Sequence, residues 1–388
     1  IKALGVGEIT RLHLNEGHTA FFAAALFDDL GSLEAVRERV HFTTHTPVPA
    51  GHDVFEMPDV LRVLGAHVSE DLLALGGTPR LSMSILASAL AKTCNAVSEL
   101  NATVAQKMFP DRVVDPLTNG VHLGTWTSTP MAALFDHHLD GWRRQPALLA
   151  DAAALPDDAF DDARSAAKQA LIEHVNGATG RGLSDDVLTI GFGRRSVPYK
   201  RATLILSDLD RLTEIGRDRL QIIFAGKAHP NDARGQDIVR QLVTISERLR
   251  GTLQLVFVPN YDMTLGRLMT AGVDVWLNTP VRPLEACGTS GMKAILNGVP
   301  NLSILDGWWA EVCEHGKNGW AIGNGETKRD DHRDAEALYG LLEDRVLPGY
   351  YDDPDSFRDL RKRAIASVPS MTADRMIGQY DKRYYRPH

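Results

Sequence analysis

From residue 186 onward, short runs rich in β-branched residues alternate with longer stretches whose apolar positions recur at helical spacing. LTIGFGR (188–194), QIIFAGK (221–227), QLVFVPN (254–260), VDVWLNT (273–279) and NLSIL (301–305) are continuous apolar runs that predict buried strands. The intervening stretches, about 200–216, 232–250, 262–271 and 289–298, predict helices. Such alternation predicts βαβ units, a parallel sheet and a doubly wound α/β domain. The closing ALYGLLEDRVL and MTADRMIGQYDKRYY predict terminal helices that pack back on an adjoining domain.

The first half differs. VHFTTHT (40–46) is its one persuasive strand, set among helices such as HTAFFAAALFDDL and LSMSILASALAKTCNAVSEL. One strand makes no sheet, so residues 1–125 are expected to be the C-terminal part of an N-terminal α/β domain whose earlier strands are absent. DPLTNGVHLGTWTS (115–128) reads as the interdomain crossing, 157–178 as a helix leading onward, and 126–388 as the second domain.

The 388 residues exceed one ordinary domain, and 44% hydrophobic with 24% charged residues describes a globular chain, which excludes a small hormone or a disordered segment. No long apolar run predicts a membrane helix. Fifty acidic against 42 basic residues give a net charge of −8, which disfavours nucleic acid as a partner. Three cysteines without a CxxC pair point to neither a disulfide framework nor a cysteine zinc site, and a reducing, cytoplasmic location is expected.

Ligands of open parallel sheets bind at the carboxyl ends of the strands, and there this sequence places its polar residues: His45, Arg194 and Arg195, Lys227 and His229, Asn260 and Tyr261, and Asn278. A cleft for a polar, anionic or polyhydroxylated ligand follows. RPLEACGTSGMKAILNG (282–298) puts Gly288, Thr289, Ser290 and Gly291 ahead of an apolar helical run, an anion-binding arrangement. Lys293, one turn in, suits either a phosphate or a Schiff base to an aldehyde cofactor. Neither GxxxxGK[ST] nor GxGxxG is present. GRRSVPYKRATL (193–204) gathers Arg194, Arg195, Lys200 and Arg201 at a strand end, suited to phosphate. The histidines of HFTTHTPVPAGHD (41–53) and HLNEGH (13–18) lack HExxH spacing, and prolines separate His45 from His52, so no metal site is expected.

HLNEGH, FTTHTPVPAGHD, TNGVHLGTW, GRRSVPYKR, FAGKAHP, PNYDM, RPLEACGTSGMKAILNG and LDGWW stand in the order found in the α-glucan (glycogen, starch, maltodextrin) phosphorylases. The chain resembles that family nearly throughout, and its bacterial and archaeal branch in particular. The resemblance implies an α/β, GT-B-type two-domain architecture with doubly wound parallel sheets, here with an incomplete N-terminal domain, and pyridoxal 5'-phosphate as cofactor. It implies phosphorolysis of terminal α-1,4-linked glucose by inorganic phosphate, releasing α-glucose 1-phosphate with retention. By position Lys293 matches the Schiff-base lysine. Thr289 and Gly291 match groups that hold the cofactor phosphate, Arg194 a basic position beside it, and Trp126 and Tyr261 residues near the cofactor ring. Arg195 and Lys200 match the substrate-phosphate pair. Asn119, Tyr199, Glu285 and Gly288 match glucose contacts, and His45 the histidine that addresses the reacting glucosyl unit. Glu16, His18 and Thr46 fall where the acceptor sugar sits.

Three positions depart from the family pattern. Cys287 replaces a common serine, Asp262 stands where some relatives carry a basic residue, and the N-terminal glycine-rich loop has no counterpart, so the chain alone is expected to be an incomplete enzyme. The alternatives are a retaining nucleotide-sugar glucosyltransferase like glycogen synthase, which needs no Schiff-base lysine, and a noncatalytic glucan-binding fragment. Preferred glucan length, allosteric control and assembly, including a homo-oligomer, stay open.

Overall fold

The computed structural model describes residues 10–48, 51–65 and 68–386. The chain forms two compact units: one runs through Thr118 and takes in the segment from Met376 onward, and the other is Asn119–Arg375.

The first unit carries β1 (Leu12–Asn15), β2 (Val40–Thr44), β3 (Val54–Glu56), β4 (Arg80–Ser82), β5 (Thr93–Ala96) and β6 (Val114–Pro116). β1, β2, β5 and β6 make a parallel sheet in the order β1-β2-β5-β6, while β3 and β4 pair as a separate antiparallel hairpin. Reading VHFTTHT as the sole strand was therefore an undercount. LHLN and TCNA are only four residues long and carry polar side chains, so they lack a β-branched signature. They pair as strands because their polar groups find one another across the sheet: the His41 ring bonds Thr93 Oγ1 and Asn95 Oδ1, both at 2.8 Å. The AFFAAALFDDL helix (Ala20–Leu30) ends at Gly31, whose φ of 66° suits the left-handed cap.

Within the same unit, the returning C-terminal segment meets the sheet through polar and aromatic groups. His13 bonds Tyr385 OH at 2.5 Å and Thr43 Oγ1 at 2.8 Å, and Asn95 Nδ2 donates to Tyr380 OH at 3.1 Å. Tyr384 stacks on His41 with ring centroids 4.0 Å apart. Burial, reinforced by neighbouring imidazoles, lowers His13 to about 4 and His41 to about 3. The folded unit keeps both rings neutral, whereas an unfolded histidine takes up its proton below about 6.5. Stability is therefore complete above that pH and declines as pH falls toward 4, by on the order of 2–3 kcal/mol per histidine. The protection factors of amides in 376–386, taken relative to the slower intrinsic exchange at low pH, are expected to fall between pH 6.5 and 4; protection that stays constant over that interval would contradict the assignment.

The second unit holds β7 (Leu188–Gly193), β8 (Leu220–Ala225), β9 (Gln254–Val258), β10 (Val275–Asn278), β11 (Asn301–Ile304) and β12 (Gly319–Ile322), all parallel in the order β12-β11-β10-β7-β8-β9. Five of these strands match the predicted runs. β12 has only GWAI between polar and glycine-rich segments, which is too short to show a period. Helices Asp157–Thr179, Ala233–Arg248, Met263–Gly272 and Thr289–Ile295 flank the sheet, but 200–216 is α-helical only at Leu209–Gly216, after the 3-10 turns Pro198–Lys200 and Leu204–Leu206. Apolar clusters lie on the two faces, around Ile190, Ile222, Leu277 and Tyr339 on one and Val256, Met269, Val273 and Trp276 on the other. Among the described residues no helix is long and apolar enough to cross a membrane.

Candidate active site

β7 and β10 are neighbours, yet the chain leaves β7 toward β8 and leaves β10 toward β11 on the opposite side. The crevice at the carboxyl ends of these two strands is the switch point where open α/β sheets receive ligands. Arg194, Arg195, Tyr199 and Lys200 follow β7, and Glu285 through Lys293 follow β10.

Backbone contacts lock the two segments together. Val281 N donates to Tyr199 O at 2.7 Å, and Thr279 Oγ1 donates to the carbonyls of Lys200 and Arg201 at 3.2 and 3.0 Å. Arg201, at a φ of 48°, returns bonds from Nε to Thr279 O and Nη2 to Pro280 O, both 2.8 Å, and pairs with Asp331 and Asp334. Arg201 is thus structural, while Lys200 is aimed at the loop after β10.

There the buried Glu285 carboxylate accepts from Arg194 Nη2 at 2.6 Å, and Lys200 Nζ donates to both its oxygens, 2.6 Å for Oε1. Burial alone would raise the Glu285 carboxyl, but Arg194 and Lys200 outweigh it and hold the group below the usual carboxylate range. Burial, with Arg194 next to it, lowers Lys200 to about 7. Two buried cations share one carboxylate. Arg194 Nη1 is buried with no acceptor, and the exposed Arg195 guanidinium makes no ion pair or hydrogen bond among the described residues. Tyr199 lies under the Lys200 ammonium, 4.7 Å from Nζ to the ring centre. Tyr261 lies close enough to Arg194 to feel its charge, although burial dominates and raises the phenol. Glu285 and Lys200, which the resemblance gives to sugar and phosphate, are paired with each other here.

Lys293 is half-buried in helix Thr289–Ile295, with Nζ 3.6 Å from the centre of the Trp126 ring. No carboxylate or other polar partner meets it among the described residues, and burial lowers its pKa. Gly288, at a φ of 89°, caps this helix, and a Cβ there would lie 3.3 Å from Glu285 Cγ. Thr289 is half-buried in the first turn, and Ser290 Oγ accepts from Trp276 Nε1 at 3.2 Å. Gly291 has a packing reason: a Cβ would come within 2.3 Å of Asn301 Oδ1 and 2.9 Å of Trp308. Asn119 is half-buried, its carbonyl accepting from Arg375 Nη2 at 2.9 Å and its backbone reaching the buried Cys287 thiol. Asp262 accepts from Leu265 N at 2.8 Å, so this departure from the family pattern caps a helix.

Two positioning residues escaped sequence reasoning. Asn297, fully buried, donates to Trp126 O at 2.8 Å and Lys293 O at 2.9 Å and accepts from Ser128 N at 2.8 Å, fixing Trp126 against Lys293. Asp306, which burial raises to about 7, accepts from Glu285 N at 2.9 Å and Gly307 N at 2.8 Å. Only their places in the ILNG and LDGWW segments could have signalled them. Asn297→Ala is expected to cost about 2–4 kcal/mol in denaturant unfolding, because three buried backbone bonds go together; a loss below about 1 kcal/mol would contradict this role.

In the first unit, Glu16 holds a φ of 74° and turns its carboxylate onto backbone amides: Gly17 N donates at 3.2 Å, and His45 N also donates. Burial lowers the half-buried His45, against the pull of Glu16. Gly17 is required where its chain passes Ser84, since a Cβ would lie 2.5 Å from Ser84 Oγ. His18 is exposed and Thr46 half-buried, and residues 49 and 50 of the same motif lie outside the described residues. The structure thus joins HLNEGH to FTTHT through Glu16 and His45. Among the described residues no three His, Cys, Asp or Glu side chains are grouped to hold a metal ion.

The family model for carbohydrate phosphorylases matches residues 67–340. The maltodextrin phosphorylase of Thermococcus litoralis is 39% identical over 99% of this chain and 52% of its own length. The glycogen phosphorylase of Aquifex aeolicus is 37% identical over 99% of this chain and 63% of its own, and that of Mycobacterium tuberculosis 36% over 97% and 51%. The chain thus spans about half the length of curated relatives it matches. With the family match running through the whole β7–β10 crevice, the chain belongs to the carbohydrate phosphorylase family, in its bacterial and archaeal branch.

Proposed function

We propose that this chain carries the pyridoxal-phosphate half of an α-glucan phosphorylase, which uses inorganic phosphate to release terminal α-1,4-linked glucose as α-glucose 1-phosphate with retention. The observation that carries this reading is Lys293: a half-buried lysine without an anionic partner, kept toward its neutral form and seated on Trp126. An unpaired amine of lowered pKa suits condensation with an aldehyde. The unpartnered Arg194 Nη1 and the free Arg195 offer donors to phosphate oxygens. The residues present therefore fit the cofactor, with Lys293 as its anchor, Trp126 and Tyr261 beside its ring, and Thr289, Gly291 and Arg194 toward its phosphate.

When bound, the cofactor would supply a phosphate group able to pass a proton. The remaining work belongs to the chain. Arg195 and Lys200 bind and orient the substrate phosphate, lowering the repulsion between two anions. The glycosidic bond at C1 breaks, a phosphate oxygen bonds to C1 on the same face, and the departing O4 takes the proton that the phosphate relinquishes. Glu285, Asn119, Tyr199 and the Gly288 backbone hold sugar hydroxyls. No carboxylate nucleophile is needed, unlike the retaining glycosidases. His45, Glu16, His18 and Thr46 enter as glucosyl and acceptor contacts on the motif match alone.

The test is glucose 1-phosphate formation from maltoheptaose and phosphate, with added pyridoxal phosphate, by a protein that carries this chain at the full length of its relatives. The expected product appears only with phosphate present. Transfer from a nucleotide-glucose, with none from phosphate, would establish the synthase-like alternative, and maltoheptaose binding without either product would establish the noncatalytic one.

A further inference from the structure

Glu285 is assigned to a sugar hydroxyl, yet its carboxylate occupies the two cations that a phosphate would use. Lys200 spends hydrogens on both Glu285 oxygens, and Arg194 gives Nη2 to one of them. All three side chains are buried. The backbone beneath is held: Glu285 N is fixed by Asp306 Oδ2 at 2.9 Å, Leu284 N by Val281 O at 2.8 Å, and Trp308 N reaches Cys287 O at 3.0 Å. No hydrogen bond besides those from the two cations holds the Glu285 carboxylate among the described residues. A change of partner there is a side-chain rotation and needs no loop movement.

We propose that Glu285 is the resident counter-ion of the phosphate pocket: it neutralises Lys200 and Arg194 until phosphates replace it, inorganic phosphate at Lys200 and the cofactor's at Arg194, and the released carboxylate then accepts from a glucosyl hydroxyl. This rests on the phosphorylase reading. Even with Glu285 in place one donor of the pocket is unmet, since Arg194 Nη1 is buried with no acceptor. The exchange makes sugar and phosphate help each other, because a hydroxyl that engages Glu285 frees the cations, and the coupling is reciprocal. It also leaves no buried carboxylate without a donor, which would be costly.

Calorimetric titration of inorganic phosphate into the full chain loaded with pyridoxal phosphate, with and without saturating glucose, which has no glycosidic bond to break, tests this. Wild type is expected to bind phosphate at least about fivefold tighter with the sugar present. Glu285→Gln should bind phosphate about tenfold tighter without sugar, the equivalent of one additional charge-assisted hydrogen bond, and should lose the sugar effect. Damage to the pocket would weaken phosphate binding instead. Glu285→Asp, which keeps the charge, should restore the sugar effect. Phosphate affinity unchanged or weaker in Glu285→Gln, with the sugar effect intact, overturns the proposal while leaving the phosphate pocket standing, provided that Lys200→Ala still loses phosphate. If Lys200→Ala binds phosphate as wild type does, the pocket assignment and the exchange fall together. Should Glu285→Gln not fold, a wild-type phosphate affinity indifferent to glucose overturns the exchange by itself.

Discussion

Lys293→Ala is expected to yield a folded protein that retains no pyridoxal phosphate after desalting and whose phosphorolysis falls by at least about a thousandfold, roughly 4 kcal/mol of transition-state stabilisation. The fold should tolerate the change because Lys293 makes no hydrogen bond or ion pair among the described residues; what is lost is its contact with the Trp126 ring, about 0.5–2 kcal/mol. Helix Thr289–Ile295 remains held through Asn297 and through the Gly291–Asn301 packing. Lys293→Arg should fail equally, since a guanidinium keeps the charge and cannot condense with an aldehyde. Stoichiometric cofactor in either variant, with turnover within tenfold of wild type, would remove Lys293 from the site.

Arg195→Ala and Lys200→Ala are expected to raise the KM for phosphate about 10- to 150-fold, the range for losing one charge-assisted hydrogen bond of about 1.5–3 kcal/mol. In Arg195→Ala the KM for maltoheptaose should change by less than about threefold, because that cation touches neither the sugar nor Glu285. The two variants should differ in stability. Arg195 is exposed and makes no bond among the described residues, so its loss should leave the melting temperature unaltered. Lys200 is buried against Glu285, and removing it leaves that carboxylate with Arg194 alone. The expected cost is about 3 kcal/mol or more, as for breaking any buried ion pair. Parallel losses for phosphate and glucan would reject the phosphate assignment.

The sheet of the second unit was legible because its strands are buried on both faces and read as apolar runs, as at Leu188–Gly193 and Leu220–Ala225. The first unit hid its sheet because Thr93–Ala96 and Leu12–Asn15 trade apolar side chains for hydrogen-bonding ones. Such strands are identified only by partners far along the chain, His41 to Asn95 for example. The candidate site divides in the same way. Arg194, Lys200 and Lys293 could be read as polar groups near strand ends, since that edge is where such folds bind, whereas Glu285 was implied by the family resemblance alone. Asn297 acts on a segment 169 residues earlier, and Asp306 on the amide of Glu285, so no local pattern announces them. Gly291 read as room for a ligand, yet its missing side chain also makes room for Asn301 and Trp308. The pairing of Glu285 with two cations was equally hidden, because a carboxylate in a motif carries no mark of what it faces.

The most direct measurement is borohydride reduction of the chain incubated with pyridoxal phosphate, followed by proteolysis and mass mapping. One phosphopyridoxyl group on Lys293 is expected, with none at Lys200, whose ammonium is engaged by Glu285. Label spread over surface lysines, or a single label at any lysine other than Lys293, would contradict the account.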